Sequence, residues 1–231
     1  MTTNHLLEVE GLSVQIRDAS GSRPILRDVT LHLDGGEALG LVGESGSGKS
    51  MTARAIARSL PKGADATGQV TFHGSPVLTM QGADLRQYRR TGVAVIPQDP
   101  RSAIDPVRTV GDFLSEPLTT FGGRSRARAR DEAAAALKEV GIQNGARVLG
   151  QFPHQLSGGM LQRVMICSAL LAGAELILAD EPTTALDVTT QSEVMAVLND
   201  LRKSHDLAML FITHDLELAT AICDRIAVMY A

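Results

Sequence analysis

An α/β fold organised around a parallel sheet is predicted by three features of the sequence. Short apolar runs at 38–42, 93–96, 176–179, 209–213 and 226–229 have the texture of strands buried on both faces. Longer stretches with helical spacing lie between them, at 50–60 (stopped by Pro61), 161–171 and 190–203. Strands alternating with helices call for crossover connections and therefore parallel pairing. The length of 231 residues supports one substantial core with a smaller appended lobe. A composition that is 44% hydrophobic and 21% charged sets aside disordered and fibrous architectures.

The first part of the chain reads differently. Val29-Thr30-Leu31-His32-Leu33 alternates apolar and polar residues, and Val70-Thr71-Phe72 does likewise, which predicts half-exposed antiparallel strands. The segment 98–155 is rich in Pro and Arg at its start and turns helical at 127–140, so it reads as a helical insertion into the α/β core. Its Arg124, Arg126, Arg128 and Arg130 alternate with small residues. A solvated loop and helix start is the expectation there, with an anionic partner as the alternative. The expected organisation is one domain over 1–231, with 1–97 and 156–231 as the core and 98–155 as the helical lobe.

A net charge of −4 and a pI near 5.9 argue against a protein that holds nucleic acid by bulk electrostatics. Cys167 and Cys223 sit in apolar surroundings without metal-ligand spacing, and buried thiols in a reducing compartment are expected. Residues 1–11 lack the basic-then-apolar pattern of a secretory leader. The longest apolar run, 164–174, carries Ser168 and covers about half of the roughly 20 residues a membrane helix needs. A protein that does not itself cross a membrane is the expectation.

Gly43-Glu44-Ser45-Gly46-Ser47-Gly48-Lys49-Ser50 fits the pattern G-x-x-x-x-G-K-[ST] in full. Such a loop turns backbone N–H groups inward around phosphates, which demands unusual dihedrals and close approach, hence glycine. The helix that follows offers its N-terminal dipole and unpaired donors. Lys49 supplies a point charge for the β- and γ-phosphates of a nucleotide, and the Ser50 hydroxyl is placed to ligate Mg²⁺. An apolar strand before the loop and a helical pattern after it complete the context. Kinases, GTPases, helicases and transport ATPases all remain open on this motif alone.

The second half of the chain narrows the choice. Leu176-Ile177-Leu178-Ala179-Asp180-Glu181 is an apolar strand ending in two carboxylates, where a doubly wound sheet binds its ligands. Asp180 is a candidate for holding Mg²⁺ through water, and Glu181 for polarising an attacking water. Capping of the next helix is the bland alternative. A second strand ends at His214, equally able to be structural or to touch a γ-phosphate. Leu156-Ser157-Gly158-Gly159-Met160 opens another helix and offers a hydroxyl, free amides and a helix dipole, a second anion-binding arrangement. One ATP rarely needs two such helix ends from one chain. Both are used if this motif closes over ATP held by a second copy.

With these motifs in order, the sequence resembles the ATP-binding cassette family over nearly its whole length. Gly43 to Ser50 corresponds to Walker A, Gln98 to the Q-loop, and Leu156 to Met160 to the signature motif. Leu176 to Glu181 corresponds to Walker B with the catalytic glutamate, Thr184-Ala185-Leu186-Asp187 to the D-loop, and His214 to the switch histidine. The resemblance implies ATP and Mg²⁺ as cofactors, with Met51, Ile16 and Asp187 joining the loop residues at the nucleotide. It implies catalytic roles for Glu181, His214, Lys49 and Gln98, and metal contacts from Ser50, Gln98 and Asp180. It further implies a head-to-tail pair of cassettes, alike or different, in which Ser157, Gly158 and Gly159 of one reach the ATP of the other.

Partners follow from the same resemblance: transmembrane permease subunits on which the helical lobe docks, a second cassette, and indirectly an extracytoplasmic substrate-binding protein. The location implied is the cytoplasmic face of a membrane. The stretch from Gln98 to Pro106 and the Met160 that ends the signature are similar to the peptide and nickel importer group. Residues 139–142 and 146–149 lean toward its nickel or metallophore members. Cassettes acting on nucleic acid, and a nucleotide-binding module inactive without a partner, are the competing classes.

Two departures stand out. Family members normally continue past the equivalent of Tyr230-Ala231, so a nucleotide-binding core without its C-terminal extension is expected. The strand position where cassettes usually stack an aromatic on adenine holds Ile16. Stacking of a base on an aromatic is worth about 1–3 kcal/mol, so Ile16 predicts weaker and less base-selective nucleotide binding. An Ile16→Tyr variant is expected to bind ATP more tightly by equilibrium titration; an unchanged dissociation constant contradicts that role.

Overall fold

The computed structural model describes residues 5–18 and 21–230; residues 1–4 of the opening segment and the terminal Ala231 lie outside the described part. In chain order, β1 (Leu7–Asp18) and β2 (Gly21–Leu33) precede β3 (Ala38–Gly43), which runs through the phosphate loop into α1 (Lys49–Ile56). β4 (Ala64–Phe72), the short β5 (Ser75–Pro76) and α2 (Gly82–Gln87) lead to β6 (Val93–Ile96). The inserted segment contributes α3 (Val110–Thr120), α4 (Arg126–Glu139) and α5 (Gly145–Val148). Then come α6 (Gly158–Ala172), β7 (Leu176–Asp180), α7 (Val188–Ser204), β8 (Ala208–Thr213), α8 (Leu216–Ile222) and β9 (Arg225–Met229).

Two sheets result. β2-β1-β4-β5 is antiparallel, and β6-β7-β8-β3-β9 is parallel throughout. Period-two alternation in the parallel strands divides the interior. Leu39, Leu41, Leu176, Leu178, Leu210 and Ile212 face α1 and the antiparallel sheet. Ile177, Ala179, Met209 and Phe211 face the other way, onto α6 and α7. That second core runs on without a break into the insertion through Val110, Leu114, Ala133 and Leu137. The helical lobe is thus packed onto the sheet by way of α6.

Alternation alone does not reveal β1, because it breaks, and only the resemblance puts Ile16 on a strand there. Leu7 and Val9 are buried, then Leu12 and Val14, so the buried parity switches between Val9 and Leu12. A bulge does this, with Gly11 at φ +58 as the residue that tolerates the turn. The expected helix 50–60 ends earlier, at Ile56. Arg58 takes a left-handed φ of +56, its N–H bonds Ala55 O, and Ser59 N–H bonds Arg54 O. This is a Schellman stop made with arginine where glycine is usual, several residues before Pro61.

Burial on both faces holds for β3, β7 and β8 but not for the strands at the sheet's edges. β9 is half-exposed and Val95 of β6 is 42% exposed, because each has a neighbour on one side only. α3 went unread since Pro117 interrupts its helical texture; it is secured by a capping box between Thr109 and Asp112. α4 starts at its cap Ser125, and Arg124 and Arg128 both pair with Glu132, which accounts for two members of the arginine run as a solvated helix face. Cys167 is buried and Cys223 half-buried, both free, with burial pushing each thiol up to about 12.

Phe211 lies at the centre of the parallel sheet with no exposed surface. Phe211→Ala is expected to destabilise the fold by about 3–5 kcal/mol, read as a shifted denaturant midpoint. A loss below about 1 kcal/mol contradicts the packing described.

Candidate nucleotide site

Register decides what the parallel sheet presents at its carboxyl edge. Ile96, Ala179, Phe211 and Gly40 form one row across β6, β7, β8 and β3. The residues just beyond that row are Gln98, Asp180 and Glu181, His214 and the phosphate loop, all brought to one edge.

The loop itself is built to receive an anion. Gly48, at φ +99, caps α1, and a Cβ there would run into Leu26. Glu44, Ser45 and Gly46 are exposed, while Ser47 and Lys49 are each 5% exposed. The Ser47 Oγ is buried without a hydrogen-bond partner among the described residues, an orphan that a phosphate oxygen would satisfy. Lys49 Nζ donates to Gly43 O at 2.7 Å and Glu44 O at 2.8 Å, so its ammonium is folded over the loop. Met51 follows in α1 and packs partly into the core beside the antiparallel sheet.

Ser50 Oγ donates to Asp180 Oδ1 at 2.7 Å, joining α1 to the end of β7. Burial pushes the Asp180 carboxyl above its usual range, the Glu181 carboxylate adds to the rise, and the Ser50 hydroxyl opposes it. A half-desolvated acid beside a second carboxylate is relieved by a cation. A hydroxyl and a carboxylate oxygen within hydrogen-bond reach also make a hard, oxygen-rich donor set suited to Mg²⁺. The residues therefore fit the metal that the sequence implies.

Glu181 occupies a left-handed conformation, φ +46, unusual for a residue other than glycine. Its N–H donates to Ile212 O at 2.9 Å, which fixes the turn against β8. Three side chains meet its carboxylate. Gln98 Nε2 donates to Oε2 at 3.3 Å, Thr184 Oγ1 donates to Oε2 at 2.9 Å, and His214 Nδ1 lies 3.4 Å from Oε1. Gln98, Glu181 and His214 were expected at one site and are found together. Thr184 was placed in the D-loop without a partner; the hint available in the sequence is a hydroxyl three residues after an acid in a turn.

The second anion-binding motif lies elsewhere on the chain. Ser157 caps α6, its Oγ accepting from Met160 N–H at 3.3 Å. Gly158 and Gly159 face Leu186 and Thr190, where a Cβ would meet those side chains. Ser157 and Gly159 line a cavity of about 650 Å³ with Arg147, Gln155 and Arg163, and no residue of the phosphate loop lines it. Asp187 caps α7 by accepting from Thr190 N–H at 3.0 Å and Thr190 Oγ1 at 2.7 Å. Ile16 sits half-buried on β1, paired with Arg23 of β2 and Ala64 of β4.

The Thr190 amide first, then its hydroxyl, hold the Asp187 carboxyl below its usual 3.8. A depressed native value means the cap stabilises above pH 3.8 and is lost as pH falls through the lower native value. The melting-temperature gap between the native chain and Asp187→Ala is therefore expected at pH 7 and to close below pH 3.8. A gap independent of pH contradicts the cap.

Comparison with known proteins agrees with this geometry. The family model described as ABC transporter matches residues 26–184. The oligopeptide transport ATP-binding protein OppD of Salmonella typhimurium is 42% identical over 228 residues, covering 99% of this chain and 68% of its own length. Its namesake from Bacillus subtilis is 41% identical, covering 98% of this chain and 64% of its own length. Among solved structures, the dimeric post-hydrolysis state of the ATP-binding cassette MJ0796, bound to ADP and Pi, superposes with a TM-score of 0.83 at 27% identity. That likeness covers 96% of this chain and 94% of the other. The chain belongs to the ABC transporter family and is an ATPase domain of it.

Proposed function

We propose that the chain is the ATP-hydrolysing subunit of a peptide importer, working in a pair of cassettes beneath a membrane permease. The observation that carries this reading is the Glu181 carboxylate, held at the sheet edge between Gln98 and His214 and one residue from the Ser50–Asp180 pair. The peptide class rests on the names of relatives at 41–42% identity and takes precedence over the nickel reading.

Phosphoryl transfer needs little covalent help, so the residues act mainly by placing and neutralising charge. Lys49 exchanges the carbonyls of Gly43 and Glu44 for phosphate oxygens, and the amides from Gly43 to Met51 donate alongside it. Mg²⁺, when bound, supplies charge neutralisation at the phosphates, with Ser50, Asp180 and Gln98 as the residues to hold it. Glu181 takes the proton of the attacking water while His214 contacts the γ-phosphate. Ser157, Gly158 and Gly159 of a second cassette complete the enclosure, with Asp187 at the seam. Ile16 offers an aliphatic surface where the adenine lies.

Among the described residues no helix is long and apolar enough to cross a membrane; on this reading a partner permease supplies the path. The candidate surface for it lies where the helical lobe meets the core. A groove of about 360 Å³ lies between β6, α3 and α6, lined by Val95, Phe113, Pro117 and Leu171. On this reading the chain works at the cytoplasmic face of the membrane, with the extracytoplasmic binding protein reached only through the permease.

Turnover is expected to rise faster than linearly with cassette concentration, because each site needs a second cassette. Glu181→Gln is expected to bind ATP, accumulate as a closed pair and lose about 100-fold or more in turnover. Linear dependence overturns the pairing, and undiminished turnover of Glu181→Gln overturns the base.

A further inference from the structure

We propose that Thr184 is a positioning residue for hydrolysis: its hydroxyl holds one oxygen of Glu181 so that the other faces the attacking water. The inference rests on Glu181 being the base. Of the three side chains at its carboxylate, Thr184 makes the shortest contact, Oγ1 to Oε2 at 2.9 Å, against 3.3 Å for Gln98 and 3.4 Å for His214.

The three also differ in where they come from. Gln98 follows β6 and His214 follows β8, separate elements that the proposed mechanism turns toward the nucleotide. Thr184 lies in the same turn as Glu181, tied to it by a backbone bond from Thr184 N–H to Glu181 O at 3.3 Å. When nucleotide draws Gln98 and His214 away, Thr184 moves with Glu181 and stays. Pro182 and Thr183 between them are buried, so the turn is anchored beneath the exposed Thr184.

The division of oxygens suits the chemistry. Both Gln98 and Thr184 bond Oε2, and only His214 approaches Oε1. Release of His214 frees Oε1, and the hydroxyl on Oε2 fixes the rotation of the carboxylate. The water's oxygen then bonds to the γ-phosphorus as the bond to the ADP oxygen breaks, and the water's proton passes to Oε1. Without the hydroxyl, a carboxylate on a strained, left-handed residue is free to rotate away from that line.

The test is Thr184→Val, which keeps the shape and removes the hydroxyl, beside Thr184→Ser, which restores it. Both are assayed in the assembled transporter, with Glu181→Gln as a control. A charge-assisted hydrogen bond of this kind predicts a fall of about tenfold or more in kcat for Thr184→Val. KM and equilibrium ATP binding are expected to stay within about twofold, with Thr184→Ser recovering most of the lost rate. Full kcat in Thr184→Val overturns the proposal. So does a fall in kcat with equal loss of ATP binding or melting temperature, or a Thr184→Ser as slow as Thr184→Val. If Glu181→Gln itself retains full turnover, the base assignment fails first, which separates that failure from one confined to Thr184.

Discussion

Parallel pairing is the constraint on which everything else depends. Because β6, β7, β8 and β3 run the same way in one continuous register, their carboxyl ends all open on the same edge. An antiparallel strand at any of those places would send its functional residue to the far side of the sheet. Residues more than 160 positions apart in the sequence, Lys49 after β3 and His214 after β8, are brought to one edge by two neighbouring strands. The buried alternation on both faces of β3, β7 and β8 makes that register costly to shift, since a one-residue slip exchanges the two cores.

Around this edge the polar contacts divide into two sets. Ser50 with Asp180, and Lys49 with the carbonyls of Gly43 and Glu44, engage groups that also suit a metal and phosphates. Glu181 is held by a different set, drawn from β6, β8 and its own turn. Each acid thus has a partner within the chain, and a nucleotide competes for partners already in use. A rise in the Asp180 carboxyl, caused mainly by burial, is the electrostatic sign of a site suited to a cation.

Much of this was legible because the motifs are contiguous and sit on simple elements. The phosphate loop is a single run after an apolar strand, and Asp180-Glu181 and His214 each end one. What stayed hidden depends on backbone conformations that the residue types do not announce. Gly11 flips the parity of β1, Arg58 ends α1 in a conformation usual for glycine, and Pro117 masks α3. Edge positions in β6 and β9 read as buried because apolar runs do not reveal how many neighbours a strand has. The contact of the D-loop residue Thr184 with Glu181 is hidden for a related reason: a hydroxyl in a turn gains meaning only once the acid's left-handed backbone turns its carboxylate toward it.

The central claim is that the two anion-binding helix starts serve different nucleotides, α1 its own and α6 that of a second cassette. ATP binding to the monomer, measured at concentrations too low for pairing, tests it directly. With Ser157→Arg the dissociation constant is predicted to match that of the native chain while hydrolysis in the assembled pair is lost. If Ser157→Arg weakens monomer binding as much as Lys49→Ala does, both helix starts act on one nucleotide and the account is contradicted.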